Sequence, residues 1–202
     1  MQDVLDRATN ETEPGEGYGI VSKALIGAAA GAVGTWALDR ADWAMWKNES
    51  EDARLQTNAV RPNGEPPAHA LVSKVEQMFG LNPTPEQHEI AGVAVHYGIG
   101  IGPAIVYSIL RDKLPGHGPV RGALFGLGLF LIQDEGVNAA TGLGAKPQDY
   151  PWQAHARGLV SHLVYGVVTE MVLDFMDRSV RASRPGADTG GEPQGKPRAI
   201  RS

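Results

Sequence analysis

The chain of 202 residues contains no cysteine, and this absence excludes several kinds of chemistry. Without a thiol the protein has no disulfide, no thiolate zinc site, no iron–sulfur ligand and no cysteine nucleophile. Basic residues are also in the minority, because 18 Lys and Arg stand against 23 Asp and Glu, giving a formal net charge of −5 at pH 7. Such a balance provides no broad basic surface, so we do not expect nucleic acid as a partner.

Charge is nearly missing from four long stretches, although charged residues make up 20% of the chain. The stretches hold only 3 of the 41 charged residues, and they are Ile20–Leu38, Ile90–Leu110, Gly118–Gln133 and Gly158–Leu173. A soluble helix carries charges along its solvent-facing side, whereas a helix in lipid does not. The pattern predicts an all-α, four-helix integral membrane protein whose partner is the lipid bilayer. The alternative is a soluble four-helix bundle in which every helix is buried nearly all round.

Capping signals and prolines set the expected ends of the helices. The expected helices are 18–46, 84–113, 119 to beyond 133, and 151–181, within a transmembrane domain of residues 18–181. The second has the clearest start, because Thr84 is followed by Pro85 and Gln87, which form a capping box with proline at the first helical position. The third is short for a span, since the 12 residues between Arg121 and Asp134 cover about 18 Å.

The segments outside the helices are polar. Residues 1–17, which are acidic, and residues 182–202, which are rich in Gly, Pro and Arg, are expected to be disordered tails. The connection 47–84 is expected to be polar and to contain one short amphipathic helix at 69–79. With four crossings, one side of the membrane receives 11 Lys and Arg and the other receives 7. The side with more basic residues carries both termini, which predicts that both are cytoplasmic.

An internal repeat is expected from two constant offsets. At an offset of 95 residues the first helix matches the third, so that Gly27, Gly31 and Asp39 correspond to Gly122, Gly126 and Asp134. At an offset of 66 the second matches the fourth, so that His96 and Gly100 correspond to His162 and Gly166. The offsets predict two pseudo-repeated helical hairpins related by an axis along the membrane normal.

Glycines four residues apart predict close contacts between helices, because they let two backbones approach in lipid. Such GxxxG pairs are Gly27 with Gly31, Gly122 with Gly126, and Gly98 with Gly102. The last pair lies in GIGIGPA, which resembles a dinucleotide-binding loop but follows no strand and lies inside a helix. These faces join helices within one protomer or between protomers, so a homo-oligomer is one of two arrangements that they allow.

The repeat places ionisable side chains at one level, near the non-cytoplasmic boundary. This expected polar layer contains Asp39, His96, Asp134 and His162, with Glu135 and His155 nearby in the sequence. In one interpretation the layer only satisfies hydrogen bonds between helices and fixes their register. In a second it handles protons or ions and responds to pH. In a third the two Asp and two His bind a metal, although no compact motif such as HExxH supports this.

Glu170 lies deeper, about two turns beyond His162 in the fourth helix. It is either a proton carrier or gate, or a carboxyl group bonded to a neighbouring helix through Tyr107 or Thr35. Asp174 and Asp177 fall at the predicted cytoplasmic end, where we expect them to be solvated. No serine forms a GxSxG elbow and no triad is recognisable, so the sequence predicts neither an enzyme nor a cofactor.

Three segments give the chain a resemblance to a known family: HYGIGIGPAIVYSILRDKLP, GALFGLGLFLIQDEG and YPWQAHARGLVSHLVYGVVTEMVL. Over about residues 18–180 it resembles the YagU-type bacterial inner-membrane family, the domain of unknown function numbered 1440. The resemblance lies in the style and order of the segments, and neither tail shares it. It implies a multi-pass protein of the bacterial cytoplasmic membrane with no established enzymatic activity, and it supplies no catalytic residues.

Together these observations predict a membrane protein of uncharacterised activity whose polar layer responds to or handles protons or ions. The first alternative is a structural or partner-binding membrane subunit in which the layer only fixes helix packing. The second alternative is a membrane metalloprotein.

Overall fold

The computed structural model describes residues 19–182, and the regular structure in this range is helical without a strand. The helices are α1 (Ile20–Asn48), α2 (Glu51–Val60), α3 (Pro67–Phe79), α4 (Pro85–Leu110), α5 (Gly118–Leu129) and α6 (Trp152–Ala182). A π-helical segment, Phe130–Val137, and one more α-helical turn, Asn138–Thr141, continue α5. The all-α prediction is confirmed, and both predicted disordered tails lie outside the described residues.

The start of α4 follows the capping box that the sequence predicts. The Thr84 hydroxyl accepts a hydrogen bond from the Gln87 backbone N–H at 3.2 Å, and the Gln87 side-chain oxygen accepts one from the Thr84 backbone N–H at 2.9 Å. Two backbone donors that a helix start leaves unpaired are thereby satisfied. The helix then ends in a 3₁₀ segment, Arg111–Lys113, close to the predicted end.

The polar connection contains one helix more than predicted. α3 covers the predicted amphipathic helix, but α2 lies in a stretch for which the sequence analysis gives no helix. Ser50 caps α2, since its hydroxyl accepts a hydrogen bond from the Ala53 N–H at 3.3 Å. Glu51 and Asp52 follow in the first turn, where negative charge favours a helix. These signals are present in the sequence, so α2 was predictable from capping alone.

α1 is the central helix, and it packs antiparallel against both α4 and α6. α5 packs against α6, and α3 packs along α4. One cluster of buried apolar residues joins three of these helices and contains Ala30 of α1, Tyr107 of α4 and Leu173 of α6. The Tyr107 ring stacks on Phe125 with ring centroids 4.0 Å apart, and this contact connects α5 to the cluster.

The predicted packing glycines divide into two groups. Those of α1 and α5 lie at helix contacts: a Cβ at Gly31 would overlap Ala104 of α4, and a Cβ at Gly126 would overlap the His162 carbonyl oxygen of α6. Gly27 lies similarly close to α4, and Gly122 lies similarly close to α6. By contrast, no described atom lies within 4 Å of a Cβ built at Gly98 or Gly102, so this pair joins no helices within the protomer.

The helix contacts in the two hairpins differ in register by one turn. Gly31 of α1 lies against Ala104, whose counterpart at the 66-residue offset is Glu170. Gly126, the counterpart of Gly31, instead lies against His162, and Glu170 contacts Gly122, one turn earlier. The internal repeat therefore remains a prediction from the sequence.

Three of these helical stretches are long and apolar enough to cross a membrane: Ile20–Asn48, Pro85–Lys113 and Trp152–Ser179. Only 28%, 17% and 39% of their most apolar windows are buried inside the protein. Large apolar side chains such as Leu25, Trp36 and Phe175 consequently face outward. Exposed apolar side chains are expected on helices that face lipid. The soluble alternative instead requires every helix to be buried nearly all round, which these helices are not. α5 is shorter than these three, so a fourth spanning helix remains a prediction.

Candidate functional site

A cavity of about 480 Å³, lined by both apolar and ionisable side chains, lies at the end of the bundle where α1 finishes and α6 begins. All six side chains predicted at this level line it, namely Asp39, His96, Asp134, Glu135, His155 and His162. We name this cavity the chamber and this end of the bundle the chamber end. The predicted polar layer thus surrounds one space, whereas the seventh predicted residue, Glu170, does not line it.

Two of the chamber histidines connect neighbouring helices to carboxylates. His96 Nε2 of α4 lies 2.8 Å from Asp39 Oδ1 of α1. His162 Nδ1 of α6 lies 3.5 Å from Asp134 Oδ2 in the π-helical segment and 2.9 Å from the Gly158 carbonyl oxygen. The Gly158 contact is the shorter one, so the Nδ1–H donates to this carbonyl and the Asp134 contact is mainly electrostatic. Each pair joins two elements that are distant in sequence.

His155 has acceptors on both sides of its ring. Its Nδ1 lies 2.7 Å from Glu135 Oε1, and its Nε2 lies 3.0 Å from the Pro147 carbonyl oxygen. A neutral imidazole carries only one N–H, while a carbonyl and an ionised carboxylate are both acceptors. Both contacts are therefore hydrogen bonds only when one additional proton is present, on the imidazole or on Glu135. The contact geometry thus accommodates one proton more than a neutral imidazole and an ionised carboxylate carry between them.

Two consecutive carboxylates of the π-helical segment line the chamber. Asp134 and Glu135 lie within Phe130–Val137, and both line the chamber. A π-helical stretch is rare and is frequently found at functional sites, since it changes the direction of the side chains within a helix. The sequence analysis did not anticipate this segment.

A buried arginine strengthens the chamber wall. The Arg157 guanidinium of α6 donates to Asp42 at 2.9 Å and also to Glu49, and its side chain is only 5% exposed. It lies 4.7 Å from the centre of the Trp46 ring. Trp46 is half-buried beside this guanidinium and also lines the chamber. Residues 42 and 157 are 115 positions apart, so no local pattern could reveal this pair.

Burial changes the acid–base properties of two chamber groups outside the three apolar spans. Burial raises the pKa of the Asp134 carboxyl, and the nearby His162 opposes this shift. Burial and the positive charge of Arg157 lower the pKa of Arg61, which lies at the end of α2. Both directions show that the chamber disfavours an uncompensated charge.

The chamber does not provide a metal site. Within the part of the chain that the structure describes, no group of three or more His, Asp and Glu side chains is arranged to hold a metal ion. The four metal candidates, Asp39, His96, Asp134 and His162, form two separate pairs instead of one ligand set.

The opposite end of the bundle holds Glu170 in a second charged network. Its carboxylate is fully buried and receives hydrogen bonds from the Arg121 guanidinium of α5 and, at 2.7 Å, from the Tyr107 hydroxyl of α4. Of the two bonded neighbours that the sequence suggests, Tyr107 is confirmed. Thr35, the other alternative, is not the partner of Glu170, since its hydroxyl donates to the Gly31 carbonyl oxygen. We name the end of the bundle that holds Glu170 the arginine end.

Arg111 extends the network at the arginine end. Its guanidinium donates to Asp174 at 3.0 Å and to Asp177 at 2.6 Å, and it lies 3.6 Å from Glu170 Oε2. The expectation that Asp174 and Asp177 are simply solvated is therefore wrong. A buried guanidinium needs anionic partners, and the last turns of α6 supply them.

Comparison of the chain with protein-family models, with curated proteins and with solved structures gives no match. The site must therefore be interpreted from its own geometry.

Proposed function

We propose that the chain is a multi-pass protein of the bacterial inner membrane whose chamber responds to protons. The observation that carries this proposal is His155 between Glu135 and the Pro147 carbonyl oxygen, at 2.7 and 3.0 Å. When the additional proton leaves, one of these two contacts becomes acceptor against acceptor and opens. Histidine is the side chain whose charge changes in the range of physiological pH, so external acidity controls this contact.

The other two pairs give the response a wider reach. His96–Asp39 joins α4 to α1, and His162–Asp134 joins α6 to the π-helical segment. His155 joins the same segment to the loop that contains Pro147. When these histidines gain or lose a proton, the contacts of α1 with α4 and of α6 with the π-helical segment change. The contact between the π-helical segment and the loop that contains Pro147 changes with them.

Tryptophan fluorescence provides a direct test, because Trp43 and Trp46 line the chamber. The full chain in lipid nanodiscs should show a fluorescence transition between about pH 5 and 8, the range in which histidine titrates. Replacement of His96, His155 and His162, three of the four histidines that line the chamber, by Gln should remove the transition. Among the single variants, His155→Gln should reduce it most.

His117→Gln is the matched control, since His117 is exposed at the start of α5 and does not line the chamber. It should leave the transition unchanged. A transition that survives in the triple variant, or that is equally lost in the control, contradicts the proposal. Proton flux into vesicles with a trapped pH indicator separates a protein that conducts protons from one that only senses them.

A second candidate function is a structural or partner-binding subunit. The observation that favours it is that every histidine pair connects two different elements, as a purely stabilising hydrogen bond would. In that case the wild type shows no fluorescence transition, while His96→Gln and Asp39→Asn both lower the thermal stability.

Membrane placement and orientation have their own experiment. The cytoplasmic termini are proposed from the basic-residue count of 11 against 7, and the inner membrane from the resemblance to the YagU-type family. Because the chain contains no cysteine, a single introduced cysteine is a unique label. A membrane-impermeant thiol reagent should label Glu86→Cys near the chamber end in intact cells, and Asp112→Cys at the arginine end only after lysis. The reverse result overturns the orientation.

A further inference from the structure

The first turn of α3 forms one side of the chamber. Pro67, Ala68 and His69 of this helix line the cavity, together with Pro66 just before it. α4 is the main helix that α3 packs against, whereas α1 packs against both α4 and α6. A helix attached along one contact can move without disturbing the rest of the bundle.

The contact between α3 and α4 contains a histidine that lies between two carboxylates. His88 Nδ1 of α4 lies 3.0 Å from each carboxylate oxygen of Glu76 on α3. Its Nε2 lies 3.5 Å from Glu65 Oε1, in the segment before α3. Glu65 Oε2 also accepts a hydrogen bond from the Ser73 hydroxyl of α3 at 2.8 Å. His88 thus links α4 to an acid of α3 and to a second acid that α3 holds in place.

A second histidine crosses the same contact in the opposite direction. His69 Nε2 of α3 lies 3.2 Å from Glu89 Oε2 of α4. The centre of its ring is 5.8 Å from that of His88, and a Cβ at Gly92 of α4 would overlap the ring. Besides each other, the two histidines face these charged groups across the contact: Glu65, Glu76 and Glu89.

Three ring nitrogens at this contact are buried without a hydrogen-bond partner among residues 19–182: His69 Nδ1, His69 Nε2 and His88 Nε2. A buried polar atom without a partner destabilises the packing that buries it. When a neutral His88 donates its one N–H to Glu76, its Nε2 is an acceptor that faces the acceptor Glu65. A proton on Nε2 replaces this opposition by attraction between an imidazolium and two carboxylates.

We propose that α3 is a proton-controlled lid of the chamber, which protonated His88 holds on α4 and which is released when His88 loses its proton. Histidine changes charge between about pH 5 and 8, so the lid closes toward the acidic end of this range and opens toward the alkaline end. Added protons favour the closed state, because only there does the imidazolium lie beside two carboxylates. The lid uses none of the three histidines that the proposed function invokes, so it stands independently of that function.

Distances between spin labels measure the lid directly, because the chain has no cysteine and two introduced ones are unique labels. The labelled pair is Val75→Cys on α3 and Val160→Cys on α6, which are both exposed positions. For the full chain in nanodiscs we expect one distance at pH 5.5 and a second, different distance in addition at pH 8. The ratio of the second to the first should rise about tenfold, because a charged hydrogen bond contributes that much.

The control pair is Val106→Cys on α4 with Val160→Cys, since neither α4 nor α6 belongs to the lid. It should give one distance at both pH values. A distance between Val75→Cys and Val160→Cys that is the same at both pH values overturns the proposal.

Glu65→Gln tests whether His88 controls the lid. An amide can donate to an unprotonated Nε2 and still accept from Ser73, so this variant should stay closed at pH 8. His88→Ala removes the link and should show the second distance at both pH values. Glu86→Gln is the matched control, since Glu86 is exposed in the first turn of α4, and it should respond like the wild type. A wild-type response of Glu65→Gln, or a His88→Ala variant that is closed at both pH values, overturns the lid.

Access to the chamber is a second measurement. Ala154→Cys places a thiol in the chamber wall, and Leu55→Cys places one on the exposed side of α2, outside the cavity. At pH 8 a water-soluble thiol reagent should label Ala154→Cys several-fold more slowly when Glu65→Gln is also present, because the lid then stays closed. Leu55→Cys should react equally with and without Glu65→Gln. Equal labelling of Ala154→Cys in both backgrounds means that α3 does not cover the chamber, and the lid is wrong.

Glu65→Gln also separates the lid from the proposed function. This variant keeps the chamber histidines, so its tryptophan fluorescence should still change with pH while its label distance does not. The variant that lacks His96, His155 and His162 should lose the fluorescence transition and keep the distance change. A distance change that disappears in this triple variant, yet survives in Glu65→Gln, overturns the lid and leaves the proposed function standing.

Discussion

The chamber end and the arginine end both gather buried charges from several helices, yet they pair them differently. At the arginine end, Arg111 and Arg121 hold Glu170, Asp174 and Asp177. A guanidinium stays charged at every physiological pH, so this network is permanent. At the chamber end the principal partners of the carboxylates are histidines, which gain and lose protons near neutrality. The difference separates a clamp of permanently charged pairs from the end whose contacts, in our proposal, depend on pH.

Glu170→Ala should have the largest effect on stability. It leaves Arg121 and Arg111 without their fully buried anion, and removal of one partner of a buried ion pair costs about 3–5 kcal/mol. Asp39→Ala should cost much less, because the Asp39 and His96 side chains are 28% and 38% exposed. Thermal unfolding in detergent measures both variants. Equal losses would remove the distinction between the two ends.

Gly126→Val should have the second largest effect on stability. Gly126 lies between the two ends of the bundle, where α5 contacts α6. A Cβ at this position meets the His162 carbonyl oxygen, so the helices must separate, and overpacking of this kind costs about 1–3 kcal/mol. Gly98→Val is the control, because a Cβ there meets no described atom within 4 Å. A strong loss of monomer stability in Gly98→Val would contradict the packing described above.

Asp134 should give the chamber end a pH-dependent stability. Burial raises its pKa, so above the free-Asp value of about 3.9 the folded protein keeps a proton that the unfolded chain releases. The contribution of this group to the free energy of unfolding therefore falls as the pH rises through that window. Asp134→Asn should flatten the pH dependence of the free energy of unfolding. Asp52→Asn, at the exposed start of α2, should leave that dependence unchanged. The same slope in both variants would refute the assignment.

Asp112→Asn should have the smallest effect, although it also lies at the arginine end. Asp112 pairs with Lys23 at 3.1 Å, but its side chain is 66% exposed. Exposed ion pairs contribute about 1 kcal/mol or less. Thermal unfolding at low and high salt should show a small difference that salt reduces. A loss comparable to that of Glu170→Ala would mean that burial does not govern this end.

Local signals made much of the helical architecture predictable. The capping box at Thr84 placed the start of α4, and the lack of charge identified the three long apolar helices. α2 was missed although Ser50 and the acidic residues after it are a capping signal. The π-helical segment had no signal of this kind, because its backbone depends on how the turn around Asp134 packs against α6.

The candidate site was predictable only in part. Two constant offsets, of 95 and 66 residues, predicted Asp39, His96, Asp134 and His162 at one level, and the structure places them around one chamber. The partners of Arg157 and Arg111 were not predictable, since they lie 108 and 115 residues away in one case and 63 and 66 in the other.

The sequence by itself predicted the solvent of this protein, because the length and apolar composition that suit three helices to crossing a membrane do not depend on how they pack. It also determined that no thiol chemistry takes place. Only the tertiary structure decided which acids meet histidines and which meet arginines. That choice depends on helix register and on contacts between residues far apart in the chain, and these contacts fix whether a buried charge is permanent or follows the pH.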